Sequence, residues 1–161
     1  MLINQKTTLA WIALVFTSLF SSAYAHQHQA HGIQVEDAWV RSAPANAPAL
    51  GAFMKIHNHT NQPVKLVAAR VDSGYDHLEL HRTQKVDGMM KMIEQEFMPI
   101  PAKGTLVLKP GSWHVMLIKP ARVPKEGETV SMHLDLDNGS TQTVTGRVKK
   151  GKMMMHHKHG H

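Results

Sequence analysis

The chain of 161 residues contains 13 histidines and 11 methionines but no cysteine, and its formal net charge at pH 7 is +6. The lack of cysteine excludes disulfide bonds and thiolate ligands for a metal ion. The excess of positive charge is modest and the basic residues are scattered, so we expect no binding to nucleic acid.

The first 25 residues have the pattern of a secretory signal peptide. Lys6 precedes a short apolar run from Leu9 to Phe20, and the small residues AYA at 23–25 are typical of a cleavage site. The apolar run is too short to span a bilayer comfortably, although an uncleaved anchor is the alternative. We predict export to the periplasm, removal of residues 1–25 and no stable membrane insertion afterwards. Without cysteine, the chain has no residue to carry the lipid of a bacterial lipoprotein.

Residues 33–148 form one predicted domain of short strands separated by turn sequences rich in Gly, Pro, Asn and Asp. The predicted strands are 33–41, 51–58, 64–71, 76–81, 89–97, 104–110, 113–119, 128–137 and 141–149. The sequence DNGS at 137–140 lies between two alternating segments and favours a hairpin. Since no helical periodicity is sustained in this region, we predict an all-β sandwich or barrel.

Histidine-rich segments flank this domain at 26–32 (HQHQAHG) and 149–161 (KKGKMMMHHKHGH), and we expect both to be flexible. If cleavage follows Ala25, the new amino group, two backbone amides and the side chain of His28 could bind Cu(II) or Ni(II) in a square plane beginning at His26, the alternative being a solvated polar tail. The C-terminal tail offers thioethers and imidazoles for a second possible copper site, the alternative being an inert tail or tag. Its candidate ligands are Met153, Met154, Met155, His156, His157, His159 and His161.

Three patches of the domain place soft or borderline metal ligands on one face of a strand. Because side chains alternate along a strand, His77, Glu79 and His81 share one face of their strand. In the same way Met90 and Met92 share a face of a second strand, and His114 and Met116 share a face of a third. Thioether sulfur suits Cu(I), and imidazole suits copper in either oxidation state. The carboxylate of Glu79 is a poor match for Cu(I), so we expect it to be solvated, and we expect His77 at the surface and Met90 as a neighbour of the site.

The spacing of four of these residues closely resembles that of the periplasmic copper chaperones of the PCuAC family. Residues 82–91 separate His81 from Met92, residues 93–113 separate Met92 from His114, and one residue separates His114 from Met116. The resemblance extends over about 33–148 and includes the segments AWVRSAP (38–44), GAFMKIHN (51–58), LELH (78–81), DGMMKM (87–92) and IPAKGTLVLKPGSWHVMLI (100–118).

The resemblance implies a cupredoxin-like Greek-key β-sandwich or barrel, with His81, Met92, His114 and Met116 as ligands of an exposed Cu(I). It also implies delivery of copper to the copper centre of cytochrome c oxidase subunit II, with a Sco-type thiol protein as a possible second partner. The main alternative is a periplasmic protein that buffers or scavenges copper. A blue-copper electron carrier would need a cysteine, and no nucleophile–base pair or paired carboxylates indicate an enzyme.

Overall fold

The computed structural model describes residues 32–151, and all the regular structure in this range consists of β-strands. The predicted signal peptide, the candidate metal ligands His26 and His28, and those of the C-terminal tail, Met153 to His161, lie outside the described residues. The ten strands are β1 (Ile33–Arg41), β2 (Ala49–Asn58), β3 (Val64–Arg70), β4 (His77–Val86), β5 (Met89–Glu94), β6 (Met98–Ile100), β7 (Thr105–Leu108), β8 (Trp113–Ile118), β9 (Thr129–Leu136) and β10 (Thr141–Lys149). Between residues 32 and 151 there is no helix long and apolar enough to cross a membrane.

All ten strands belong to one sheet, in the order β5-β4-β8-β7-β2-β1-β10-β9-β3-β6, with β8 also paired to β2. Strands that are distant in sequence lie side by side: β4 pairs antiparallel with β8, β3 with β9, and β1 runs parallel to β10. The sheet curls so that β3 approaches β4. The all-β prediction is therefore confirmed, and β9 and β10 form the hairpin that the DNGS sequence indicates.

The structure corrects the predicted strands at the β4–β5 hairpin and at β6. Strand β4 continues beyond residue 81 to Val86, because the turn at Asp87 and Gly88, both with positive φ, brings residues 82–86 against β5. Residues 98–100, which were not predicted as a strand, form β6. Pro99 obscures this strand in the sequence, and it is tolerated because β6 is an edge strand of the sheet.

The core is built from the side chains at alternate positions of the strands, which point inward. Along β8, Val115 and Leu117 are fully buried, as the alternation of this segment predicts, and Leu80 of β4 is buried opposite Val115. Fully buried side chains elsewhere in the core are Val40, Met54, Ile56, Leu66, Met98, Ile100, Met132, Leu134 and Val148. Met54 and Met132 thus fill the core, whereas Met92 and Met116 lie on the outer face of the sheet.

A bulge in β1 determines which side chains reach that outer face. The register between β1 and β2 shifts between Glu36 and Trp39, and Asp37 has a φ of 54°. Lys55 of β2 donates a hydrogen bond of 2.7 Å to the carboxylate of Asp37 at this point. Because the bulge adds one residue, Trp39 lies opposite Phe53 on the outer face rather than pointing into the core.

A carboxylate ties β3, β9 and β10 together and generates a pH-dependent contribution to stability. Arg70 donates two hydrogen bonds to Asp135, of 2.8 and 3.2 Å, and the Thr141 hydroxyl donates a third of 2.7 Å. Burial raises the pKa of Asp135, but these hydrogen bonds outweigh it, so the pKa lies below its usual value. A lowered pKa contributes stability above the unfolded-state pKa of about 3.9, and this contribution is lost as the pH falls through the folded-state value.

We therefore expect Asp135→Asn to reduce the free energy of unfolding at pH 7, because the charge-assisted bonds to Arg70 are weakened. The difference from the wild type should shrink as the pH falls from about 4 through the lower folded-state pKa, below which the folded wild-type carboxylate is also neutral. Urea unfolding between pH 7 and pH 3 measures this. Glu96→Gln, at an exposed glutamate without an ion pair in the described range, is the control. A difference that stays constant with pH would contradict the assignment.

Candidate metal centre

Three adjacent strands at one end of the sheet bring the four predicted metal ligands together. His81 of β4 lies directly opposite His114 of β8. On the other side of β4, Met92 of β5 lies opposite Thr83, one same-face position from His81. Met116 follows His114 on the same face of β8, at the spacing of about 6.6 Å between alternate strand residues. All four side chains therefore share the outer face of the sheet.

The two imidazoles each use one nitrogen for a hydrogen bond and leave the other without a partner. The ring centroids of His81 and His114 are 5.7 Å apart. Nδ1 of His114 donates to the Ser112 carbonyl at 2.9 Å, and Nε2 of His81 donates to the Glu79 carboxylate at 2.7 Å. The opposite nitrogens, Nε2 of His114 and Nδ1 of His81, are buried and make no hydrogen bond. A buried lone pair without a donor is costly, and a bound metal ion would satisfy both.

The surroundings of His114 keep its ring neutral. The residue is 3% exposed. Burial lowers the pKa of the His114 imidazole; the hydrogen bond to the Ser112 carbonyl opposes this effect, while His81 and Arg41 add to it. A neutral ring has a free electron pair on Nε2, as metal binding requires. His114 therefore does not need to lose a proton before it binds a metal ion at neutral pH.

The thioether side chains complete the candidate donor set. Met92, His114 and Met116 line one depression of about 160 Å³ on the outer face. Met92 is 62% exposed, whereas Met116 is partly buried. In residues 32–151 no three histidine, aspartate or glutamate side chains are grouped so that they could hold a metal ion. The depression therefore offers the imidazole of His114 and two methionine sulfurs, and His81 lies opposite His114 on the neighbouring strand.

The floor of the depression is aromatic, and no pattern in the sequence indicates it. Phe53 is buried although it lies on the outer face, because Trp39 packs against its ring at 4.6 Å between centroids and Arg41 lies 5.6 Å above it. Its ring extends over Gly51, where a Cβ atom would lie only 3.0 Å from the Phe53 ring. Phe53 then reaches His114 at a centroid distance of 6.2 Å. This floor becomes apparent only from the register of β2 with β8, which places Gly51 opposite Met116.

Of the residues that neighbour the four donors, Glu79 has a different environment from the one expected, whereas His77 and Met90 do not. Glu79, predicted to be solvated, instead accepts hydrogen bonds from both His77 and His81, and these bonds lower the pKa of its carboxyl. The prediction of a free, solvated carboxylate is therefore wrong. The side chain of His77 is 51% exposed, which agrees with a surface position. Met90 is exposed on the same face as Met92, but it does not line the depression.

Comparisons with known proteins place this chain in a family and identify its fold. A family model described as putative lipoprotein LpqE-like matches residues 33–148. A curated relative, the putative lipoprotein Lxx21020 of Leifsonia xyli subsp. xyli, is 35% identical over 150 residues, which cover 90% of this chain and 89% of the relative.

The similar solved structures include PCuAC domains. The apo form of DR1885 from Deinococcus radiodurans is 31% identical, with a TM-score of 0.59 and coverage of 94% of this chain and 97% of DR1885. Its CuI form is 33% identical, with a TM-score of 0.55 and coverage of 80% and 87%. The copper-bound PCuAC domain from PmoF2 has a TM-score of 0.62 at 17% identity, covering 74% of this chain and 94% of that domain, and it supports the fold alone. The chain belongs to the LpqE-like family and has the cupredoxin-like β fold of PCuAC domains.

Proposed function

We propose that the protein is a periplasmic copper chaperone that binds Cu(I) through His81, Met92, His114 and Met116. The observation that carries this proposal is the pair of buried imidazole nitrogens, on facing residues of β4 and β8, that have no hydrogen-bond partner. Two neutral imidazoles and two thioethers form a soft donor set without negative charge, which suits Cu(I). The CuI form of DR1885, at 33% identity, supports the choice of metal.

The charges around the site favour a singly charged ion over a divalent one. Arg41 lines the same depression as Met92, His114 and Met116. The carboxylate of Glu79 is directed to the imidazole N–H groups of His77 and His81, and Glu94, the cross-strand partner of His81, is exposed to solvent. A divalent ion would meet the repulsion of the guanidinium without a negatively charged ligand in compensation, so the electrostatic penalty is smaller for Cu(I).

The exposure of one side of the site suits a carrier that must also release its metal. His114 is buried on β8, whereas Met92 lies exposed on β5, the edge strand of the sheet. An acceptor can approach from the Met92 side and replace the thioether, while the imidazoles still hold the ion. By the resemblance to PCuAC chaperones, the acceptor is the copper centre of cytochrome c oxidase subunit II, and a Sco-type protein is a possible second partner.

The lipoprotein-like names of the relatives are consistent with an exported protein, as the signal sequence predicts. This chain cannot carry the lipid of a lipoprotein, because its 161 residues include no cysteine.

The C-terminal tail begins beside the candidate site. Lys149 is paired with Arg41, and a Cβ atom on Gly151 would lie 2.8 Å from the Arg41 guanidinium. Met153 follows two residues later, a distance of at most about 7 Å along an extended chain. We propose that the tail captures Cu(II) with its imidazoles and passes copper to the body site. A storage or scavenging protein is the second candidate function, and the many tail ligands favour it.

The first prediction concerns the thioethers. In the double variant Met92→Leu/Met116→Leu we expect Cu(I) affinity to fall by at least about 100-fold, since even the loss of a residue that only orients a ligand costs about 10–100-fold. The shape of leucine is close to that of methionine, so the fold should be retained. Competitive Cu(I) titration measures the affinity, with Met89→Leu/Met90→Leu as the matched control on the same strand. Equal affinities of wild type and double variant would refute the proposed site.

The second prediction separates delivery from storage. Deletion of the gene in its host should lower cytochrome oxidase activity, and the wild-type gene should restore it while the Met92→Leu/Met116→Leu gene should not. Oxidase activity and growth under excess copper are measured in the same strains. Normal oxidase activity together with reduced copper tolerance would favour the storage function.

The third prediction concerns the tail. Deletion of residues 152–161 should reduce the number of Cu(II) ions bound and leave Cu(I) affinity unchanged, because the body site lies in the described domain. Replacing the four tail histidines by glutamine, which preserves the length of the chain, should have the same effect. An unchanged Cu(II) stoichiometry in both variants would exclude the tail as a capture site.

A further inference from the structure

We infer that Glu79 is a positioning residue for the metal site: it holds the proton of His81 on Nε2 and thereby directs Nδ1 to the metal ion. This inference rests on the proposed function, in which His81 is a copper ligand. Glu79 itself does not touch the metal in this arrangement. Its contribution is made entirely through the imidazole of His81.

The strand spacing places this carboxylate between two imidazoles. His77, Glu79 and His81 occupy alternate positions of β4, so all three side chains lie on one face. Oε1 of Glu79 accepts a hydrogen bond of 2.8 Å from Nε2 of His77, and Oε2 accepts one of 2.7 Å from Nε2 of His81. With both oxygens engaged, the carboxylate cannot rotate without breaking one of the two bonds.

The chemistry of the hydrogen bond determines which nitrogen of His81 is free. An ionised carboxylate only accepts hydrogen bonds, so Nε2 of His81 must carry the proton and Nδ1 must carry the lone pair. That Nδ1 atom is buried and has no hydrogen-bond partner. The two histidines therefore offer different nitrogens, Nδ1 of His81 and Nε2 of His114, and each is fixed by an acceptor on its other side. Such carboxylate–histidine–metal arrangements fix the tautomer and the orientation of the ring.

Polar contacts at the protein surface hold His77, and through it Glu79, in place. Nδ1 of His77 lies 3.4 Å from Asp76, and Asp76 lies 3.3 Å from the Lys119 ammonium group. His77 is half exposed and Glu79 is only 23% exposed, so Glu79 is the member of this series that is sheltered beside His81. His77 thus holds the carboxylate in place but is not itself directed to the metal.

The strand pairing supplies a matched control. Glu94 of β5 is the cross-strand partner of His81, so it is a second carboxylate on the same face and in register with the same histidine. Its side chain is exposed and makes no hydrogen bond or ion pair within the described range. Replacing Glu94 therefore removes a negative charge beside His81 without removing the hydrogen bond to its ring.

The test compares Glu79→Leu, Glu79→Gln and Glu94→Leu in the full chain by two measurements. In the metal-free protein, ring ¹⁵N chemical shifts report the tautomer of His81. We expect only the Nε2–H form in wild type and in Glu94→Leu, and a mixture of tautomers in Glu79→Leu. Competitive titration with Cu(I) should show a 10–100-fold loss of affinity in Glu79→Leu. The loss should be smaller in Glu79→Gln, whose amide oxygen can still accept the hydrogen bond, and absent in Glu94→Leu.

Each possible result either supports or overturns the positioning role of Glu79. A loss of Cu(I) affinity without a change of tautomer, or a change of tautomer without a loss of affinity, would overturn it, and so would an equal loss in Glu94→Leu. If the wild type itself binds no Cu(I), the proposed function fails, and the ¹⁵N spectra of the metal-free proteins decide alone. A mixture of His81 tautomers in Glu79→Leu would then support the role of Glu79 in fixing the proton of His81 on Nε2, and an unchanged tautomer would exclude that role.

Discussion

The register between β4 and β8 is the constraint on which the candidate metal centre depends. It places His81 opposite His114 on the outer face and Leu80 opposite Val115 in the core. A slip of one residue would turn the histidines into the core and expose the buried apolar side chains. Burial of such a side chain contributes about 1.5–3 kcal/mol, so the core holds the strands in the register that the site requires. The packed core therefore fixes the positions of the candidate ligands, although their side chains lie on the opposite face of the sheet.

The site combines a fixed half with an accessible half. The imidazole nitrogens are buried, and hydrogen bonds to the Ser112 carbonyl and to Glu79 fix the two rings. On the other side, Met92 lies on an exposed edge strand whose residues are all accessible to solvent. Histidines that are already oriented reduce the entropic cost of binding, while an exposed thioether allows another protein to reach the ion. This division suits a protein that binds a metal ion and later transfers it.

Much of the fold could be predicted from the sequence, because alternating apolar residues and turn sequences determine strands locally. The pattern also predicted the faces of His114, Met116 and Val115 correctly. Pairing between distant strands has no comparable local signal, so the position of Phe53 beneath the site could not be predicted. The hydrogen bond from His81 to Glu79 was missed for a related reason: the alternation of β4 puts both side chains on one face, but it does not say which acceptor an imidazole selects. The tails lie outside the described residues, and their copper sites remain predictions.

The most direct test of the proposed Cu(I) site is X-ray absorption at the copper K-edge of the Cu(I)-loaded protein lacking residues 152–161, with one copper per chain. If His81, Met92, His114 and Met116 bind the ion, the edge should be typical of Cu(I), and the coordination shell should contain two imidazole nitrogens and two thioether sulfurs. The sulfur contribution should disappear when Met92 and Met116 are replaced by leucine. Nitrogen and oxygen ligands alone in the truncated protein with Met92 and Met116 intact would contradict the proposed site, because the methionines would then be packing residues and not ligands.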